Sequence, residues 1–231
     1  MDQAHRALIL LLLCSCAGED PTQLLLDGGP RDAGSVRDAG VDTSALPFAR
    51  SVTAFDDGDG AGFGQDAMPG VVLGPPRGGG LEAGSTDVVS LGVGGTIVVG
   101  FGDDTIVDGP GPDFVVFENA FWVQGDPSDV FFELGEVSVS DDGETWHTYP
   151  CDAEATAPPW TGCAGWSPTR PFDPFDLPLT ADRTGGDAFD LADLGLDEAR
   201  FVRIRDLSTE GVPPTAGFDL DAIGLLHVDG L

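Results

Sequence analysis

Asp56, Asp57 and Asp59 place three carboxylates on one turn around Gly58. Asp219 and Asp221 stand two residues apart, a spacing that sends both side chains to one face of an extended strand. Asp113, Glu118 and Asn119 form a further oxygen-rich set. Hard oxygens grouped in this way suit Ca2+, which takes about six to eight oxygen ligands. An EF-hand loop is excluded, because its closing Glu would fall at Ala67 or Met68. The competing reading is that these acids are turn formers on a solvated acidic face.

A second chemistry is available to aromatic residues. Trp160 and Trp166 flank Cys163 in a Pro- and Gly-rich stretch, hence a loop. Rigid exposed rings are what sugar rings stack on, and Arg170 and Asp173 could hydrogen-bond sugar hydroxyls. Alternatively, the two Trp cover the edge of the core. Trp146 is expected inside the core. Familiar catalytic signatures are absent: there is no Gly-x-Ser-x-Gly, His-Glu-x-x-His or P-loop. His147 and His227 stand in no recognisable triad and are expected to be structural. A carboxylate-pair glycosidase stays open, because forty acids make a pair available and none diagnostic.

Composition narrows the partners. The 231 residues carry 40 acidic and 10 basic side chains, a formal charge of −30, and every basic residue is Arg. Binding nucleic acid through a basic face is excluded, as is any Lys chemistry. The charge is compatible with a glycan or an envelope protein as partner.

The elements that must position these residues are short strands. Runs at 51–55, 86–90, 96–101, 114–118, 130–134, 136–140, 145–150, 201–206 and 218–228 read as β. Asp57-Gly58, Asp59-Gly60, Asp142-Gly143 and the 108–112 stretch are turn signals. No segment has a long amphipathic helical period, and 191–198 offers one short helical turn. Many short strands between Gly and Pro turns predict an all-β sandwich over 48–231. Residues 17–47 are rich in Asp, Ala and Gly and read as a flexible, disordered linker. Residues 1–16 read as a signal peptide, with an apolar run at 7–13 too short to span a bilayer.

Leu13-Cys14-Ser15-Cys16 resembles a bacterial lipobox, which implies lipidation at Cys16 and, with Ala17 and Gly18 following, the outer membrane. The lipid would be the chain's membrane contact. Cys14 leaves with the signal, so Cys151 and Cys163 remain as an even pair suited to a disulfide in an oxidising compartment.

Three segments carry a family resemblance. Ser140-Asp141-Asp142-Gly143-Glu144-Thr145-Trp146 is similar to a strand–turn–strand of discoidin-type domains, and the 199–205 run resembles another strand of those domains. The 218–225 run resembles the closing strand of calcium-bearing carbohydrate-binding modules of the galactose-binding-like superfamily. The stretch 51–228 also resembles a group of secreted bacterial cell-surface proteins. The resemblance implies a jelly-roll β-sandwich with first and last strands side by side. Asp56, Asp57 and Asp59 would then meet Asp219 and Asp221 around one Ca2+, while Glu118 is a candidate metal ligand of the second set, with Asp113 and Asn119. The function it implies is a non-enzymatic, surface-exposed glycan-binding module. A structural envelope component and a carboxylate-based hydrolase are the alternatives.

Overall fold

Short Val-, Ile- and Phe-rich runs form strands because β-branched and aromatic side chains pack well on a pleated surface, while Gly, Pro and Asp end them. The computed structural model describes residues 45–78 and 80–229, which lie within the unit Ser44–Leu231. The signal-peptide reading, Cys16 and nearly all of the 17–47 linker fall outside the described residues. The strands are β1 (Ser51–Asp56), β2 (Val89–Ser90), β3 (Thr96–Gly100), β4 (Ile106–Val107), β5 (Phe114–Glu118), β6 (Phe121–Trp122) and β7 (Val130–Phe131). They continue as β8 (Gly135–Ser140), β9 (His147–Thr148), β10 (Cys163–Ala164), β11 (Asp187–Phe189), β12 (Glu198–Ala199), β13 (Phe201–Asp206) and β14 (Asp219–Leu225). The one α-helix among the described residues, α1 (Ala181–Thr184), has four residues, so the domain is all-β. The helical turn expected within 191–198 is a 3-10 turn at Leu191–Leu194.

Two sheets carry the architecture. One runs β1-β3-β13-β8-β10, with β9 paired to β8. The other runs β11-β5-β14-β2. Ile97 and Val99 of β3, Val202 and Ile204 of β13, and Val137 and Val139 of β8 join one core with Phe114 and Val116 of β5 and Leu220 and Ile223 of β14. Strand β5 is buried at every position. Its other face carries Val115 and Phe117, which pack with Leu46, Phe48 and Leu179. A strand covered on both faces reads as a continuous apolar run rather than an alternating one.

Two expectations need correction. First, β1 does not lie beside β14: it is an edge strand on β3, in the other sheet. The chain changes sheets just before it. Pro47–Ala49 runs along β14, with Ala49 N–H donating to Ile223 O at 2.9 Å and Leu225 N–H to Pro47 O at 2.7 Å. The next residue, Arg50, already donates to Gly100 O of β3 at 2.9 Å. Second, Trp146 is half-buried rather than core, with the Arg203 guanidinium 4.4 Å above its ring. The core position near this hairpin belongs to Tyr149, whose N–H donates to Val137 O and whose hydroxyl donates to Asp190 O.

Candidate functional site

Strands β5 and β14 pair antiparallel with Leu220 opposite Glu118, and β2 pairs with β14 with Ser90 opposite Asp219. This register puts Glu118, Asn119, Asp219 and Ser90 at one end of the sheet. Glu133, on the link from β7 to β8, completes the group. One carboxylate oxygen each from Glu118, Glu133 and Asp219 lies within 4.8 Å of the others. Glu118 and Asp219 are buried, while Glu133 keeps some exposure.

Hydrogen bonding in the cluster is uneven. Asp219 accepts from the Ser90 hydroxyl on Oδ1 and from Asn119 Nδ2 on Oδ2, the latter at 3.3 Å. Asn119 is itself oriented by the Ser85 N–H, which donates to its Oδ1. Glu118 has no such support: both oxygens are buried and neither has a hydrogen-bond partner of ordinary geometry. Burial pushes the Glu118 carboxyl well above the usual range, and the charges of Asp219 and Glu133 push it further. Nearby backbone N–H groups of Asn119 and Asp219 only partly offset this. Glu133 and Asp219 are also shifted upward, in each case mainly by loss of water. Three crowded carboxyls in a dry site must either hold protons or share a cation. The donors are all oxygen, which favours a hard divalent ion such as Ca2+ or Mg2+ over a thiolate-type metal.

A second acidic group, Asp108, Asp113 and Asp190, behaves differently. Asp113 is fully buried and fully used: Oδ1 accepts from Gly109 N–H and lies 2.8 Å from His227 Nδ1, while Oδ2 accepts from Leu191 N–H. Its role is to tie three chain segments together. The sequence set Asp113, Glu118 and Asn119 is thus divided between two places.

Asp56, Asp57 and Asp59 belong to neither acidic group: Asp56 ends, and Asp57 and Asp59 follow, an edge strand of the other sheet. Asp221 also stands apart. A bulge between Leu220 and Ala222 interrupts the alternation, and the Asp221 carboxylate accepts the Arg77 N–H at 2.9 and 3.2 Å. Burial pushes its carboxyl up to about 7.

Cys151 and Cys163 are joined in a disulfide. Trp160 and Trp166, both half-buried, pack edge-on with ring centroids 6.1 Å apart. Trp160 also packs against Phe132 at 4.6 Å, and its Nε1 donates to Ala155 O. They therefore pack on each other and on Phe132 rather than standing free as a platform. Arg170 and Asp173 are exposed; Arg170 Nη1 donates to Asp182 O at 2.8 Å, and Asp173 accepts the Phe175 N–H.

Sequence reasoning missed Glu133 and Ser90. The signal for Glu133 was a single carboxylate inside the apolar run 130–134, the same pattern that Glu118 makes after Phe117. Ser90 left no signal, since its role depends on β2 pairing with a strand 129 residues away.

No family model matches the chain, and no curated protein matches it. Among solved structures, a chain named "Glycoside hydrolase" is similar to this one at 14% identity, with a TM-score of 0.29. The likeness covers 61% of this chain and 22% of that one.

Proposed function

We propose that this chain is an exported, lipid-anchored protein of a bacterial outer membrane. Its β domain, a jelly-roll sandwich of the galactose-binding-like type, is a non-enzymatic glycan-binding module stabilised by Ca2+. The observation that carries the calcium reading is Glu118, whose two buried, unpartnered oxygens face two further carboxylates. A divalent ion held by Glu118, Glu133 and Asp219 supplies the missing positive charge. The Asn119 and Ser90 side chains hold Asp219 in place for it. Ligands drawn from β5, β14 and the β7–β8 link give the ion a stabilising rather than a chemical task.

Export is supported by the lipobox-like Leu13-Cys14-Ser15-Cys16 and by a disulfide, which persists in oxidising compartments. The glycan reading is supported by the resemblance of the 218–225 run to carbohydrate-binding modules and by the exposed Arg170. Calorimetric titration of Ca2+ into chelator-treated protein tests the ion. Heat of binding is expected in the native chain and not in Glu118→Gln; an absence of heat in the native chain rules the ion out. A glycan array with the purified protein tests the ligand, and binding to no glycan overturns the module reading. Palmitate incorporation that survives Cys16→Ser overturns the anchor.

A further inference from the structure

We propose that the cavity between the 75–78 segment and the 169–174 segment binds the carboxylate and ring face of an acidic saccharide. This rests on the glycan-binding reading and deepens it by naming the ligand class and the site.

The cavity holds about 300 Å³ and is lined by Arg77, Arg170, Thr169, Phe172 and a set of proline rings that includes Pro75 and Pro76. That is the low end of the range for small-molecule sites and suits one or two sugar rings. Its charge is anomalous for this molecule. The chain carries −30 and has no Lys, yet two of its ten Arg meet at one cavity.

The use made of the other Arg side chains sharpens the contrast. Arg50 is paired with Asp104, Arg183 with Asp176, Arg200 with Asp141 and Arg205 with Glu136. Arg203 lies over Trp146. Among the described residues, Arg77 and Arg170 are the two whose guanidinium groups form no salt bridge and lie over no aromatic ring, although the Arg77 charge does act on the buried Asp221 carboxyl. Arg77 Nη2 meets only Gly70 O, at a long 3.4 Å, and Arg170 Nη1 meets Asp182 O. Both keep donors for an anion, and the planar guanidinium fork matches a carboxylate.

Thr169 lines the same cavity. Thr169 is 7% exposed, and its Oγ1 is buried without a hydrogen-bond partner. A buried hydroxyl left unpaired is costly, so this wall of the cavity carries an unused polar group. The walls also discriminate. Proline rings and Phe172 offer rigid apolar faces that a sugar ring can cover and a bare inorganic anion cannot use.

Asp221 serves as a positioning residue. It accepts the Arg77 N–H, and a Cβ on Gly78 would stand 3.1 Å from its Oδ2. This close approach fixes the Arg77 segment against β14.

The test is binding by calorimetry to the full chain in Ca2+-containing buffer. The probes are digalacturonate, its neutral galactose counterpart and inorganic phosphate. Digalacturonate is expected to bind, at least tenfold tighter than the neutral disaccharide, and to weaken as salt rises. Arg77→Gln with Arg170→Gln should lose at least tenfold, and Thr169→Val a smaller factor. Arg170→Lys should retain part of the affinity, since it keeps charge but not the fork. Both Arg are exposed, so unchanged melting of the variants separates binding loss from misfolding. Equal binding of the neutral disaccharide, or variants that bind as the native chain does, overturns the site while leaving the module reading intact. Phosphate binding as tightly as digalacturonate overturns the saccharide class. Binding of no probe here and of no glycan on the array overturns both.

Discussion

Asp187 shows how one carboxylate can join two sheets and make the join depend on pH. It begins β11 at the edge of the four-stranded sheet, while the chain after β10 leaves the edge of the other. Its Oδ2 accepts the N–H groups of Gly165, Trp166 and Ser167 at 2.6, 3.0 and 3.3 Å. Its Oδ1 is buried with no partner. Desolvation pushes the carboxyl up to about 7 from 3.8, with the three N–H groups pulling the other way. A raised acid is a proton that the folded state keeps and the unfolded state has lost. The stability it contributes is full below about pH 4 and is lost as pH rises through about 7. Asp187→Asn keeps an acceptor for the N–H groups and removes the charge. It should therefore flatten the fall in melting temperature between about pH 5 and pH 8. Equal slopes in native and variant protein would refute this. Gly165 makes the arrangement sterically feasible: its φ is +98°, and a Cβ there would stand 2.0 Å from Glu133 O. Nothing in the sequence marks Asp187, since Gly185-Gly186-Asp187 looks like any turn. Glu118 was legible because a charge ending a fully apolar strand invites a reason.

Elements were legible in the sequence where one strand carries its own signal. Phe114–Glu118 announces itself as a buried run, and Phe201–Asp206 by alternation. Strands β4, β10 and β12 have two residues each and owe their existence to distant partners, so no local pattern foretells them. Strand β13 lies between β3 and β8, and its two faces should respond differently to mutation. Ile204 is fully buried, and Ile204→Ala should cost about 2–5 kcal/mol of stability. Its neighbour Arg203 faces Trp146 outside the core, and Arg203→Ala should cost roughly 0.5–1 kcal/mol. Denaturant midpoints measure both, and similar losses would contradict the assigned faces. The disulfide acts on another element, the loop between β9 and the β10 strand that feeds Asp187. Closing a loop of this length by a bond between residues 12 apart limits the unfolded chain. Replacing Cys151 and Cys163 together by Ala should cost about 2–4 kcal/mol, or roughly 4–16 °C in melting temperature.

At the scale of the whole molecule, the question is how a chain of −30 tolerates folding. Four Arg–carboxylate pairs among the described residues are exposed or partly so, and such pairs contribute little. Self-repulsion therefore remains, and ordinary salt should relieve it by screening over about 10 Å at 0.1 M. A cation site adds something screening cannot: saturable stabilisation at constant ionic strength. Linkage sets its size, at about 2.7 kcal/mol when free ion exceeds Kd a hundredfold. For a domain of this length that is roughly 5–10 °C. Melting temperature measured against NaCl and against CaCl2 at matched ionic strength separates the two effects. Both curves should rise, with the CaCl2 curve lying above and levelling off at millimolar Ca2+. In Glu118→Gln combined with Asp219→Asn, the curves should coincide, because the general repulsion is untouched while the site is gone. Coincident curves in the native chain would mean that the buried carboxyls hold protons rather than an ion. A separation that survives both substitutions would place the ion elsewhere, among acids such as Asp56, Asp57 and Asp59. The comparison thus distinguishes charge as a property of the whole surface from charge concentrated where β5, β14 and the β7–β8 link converge.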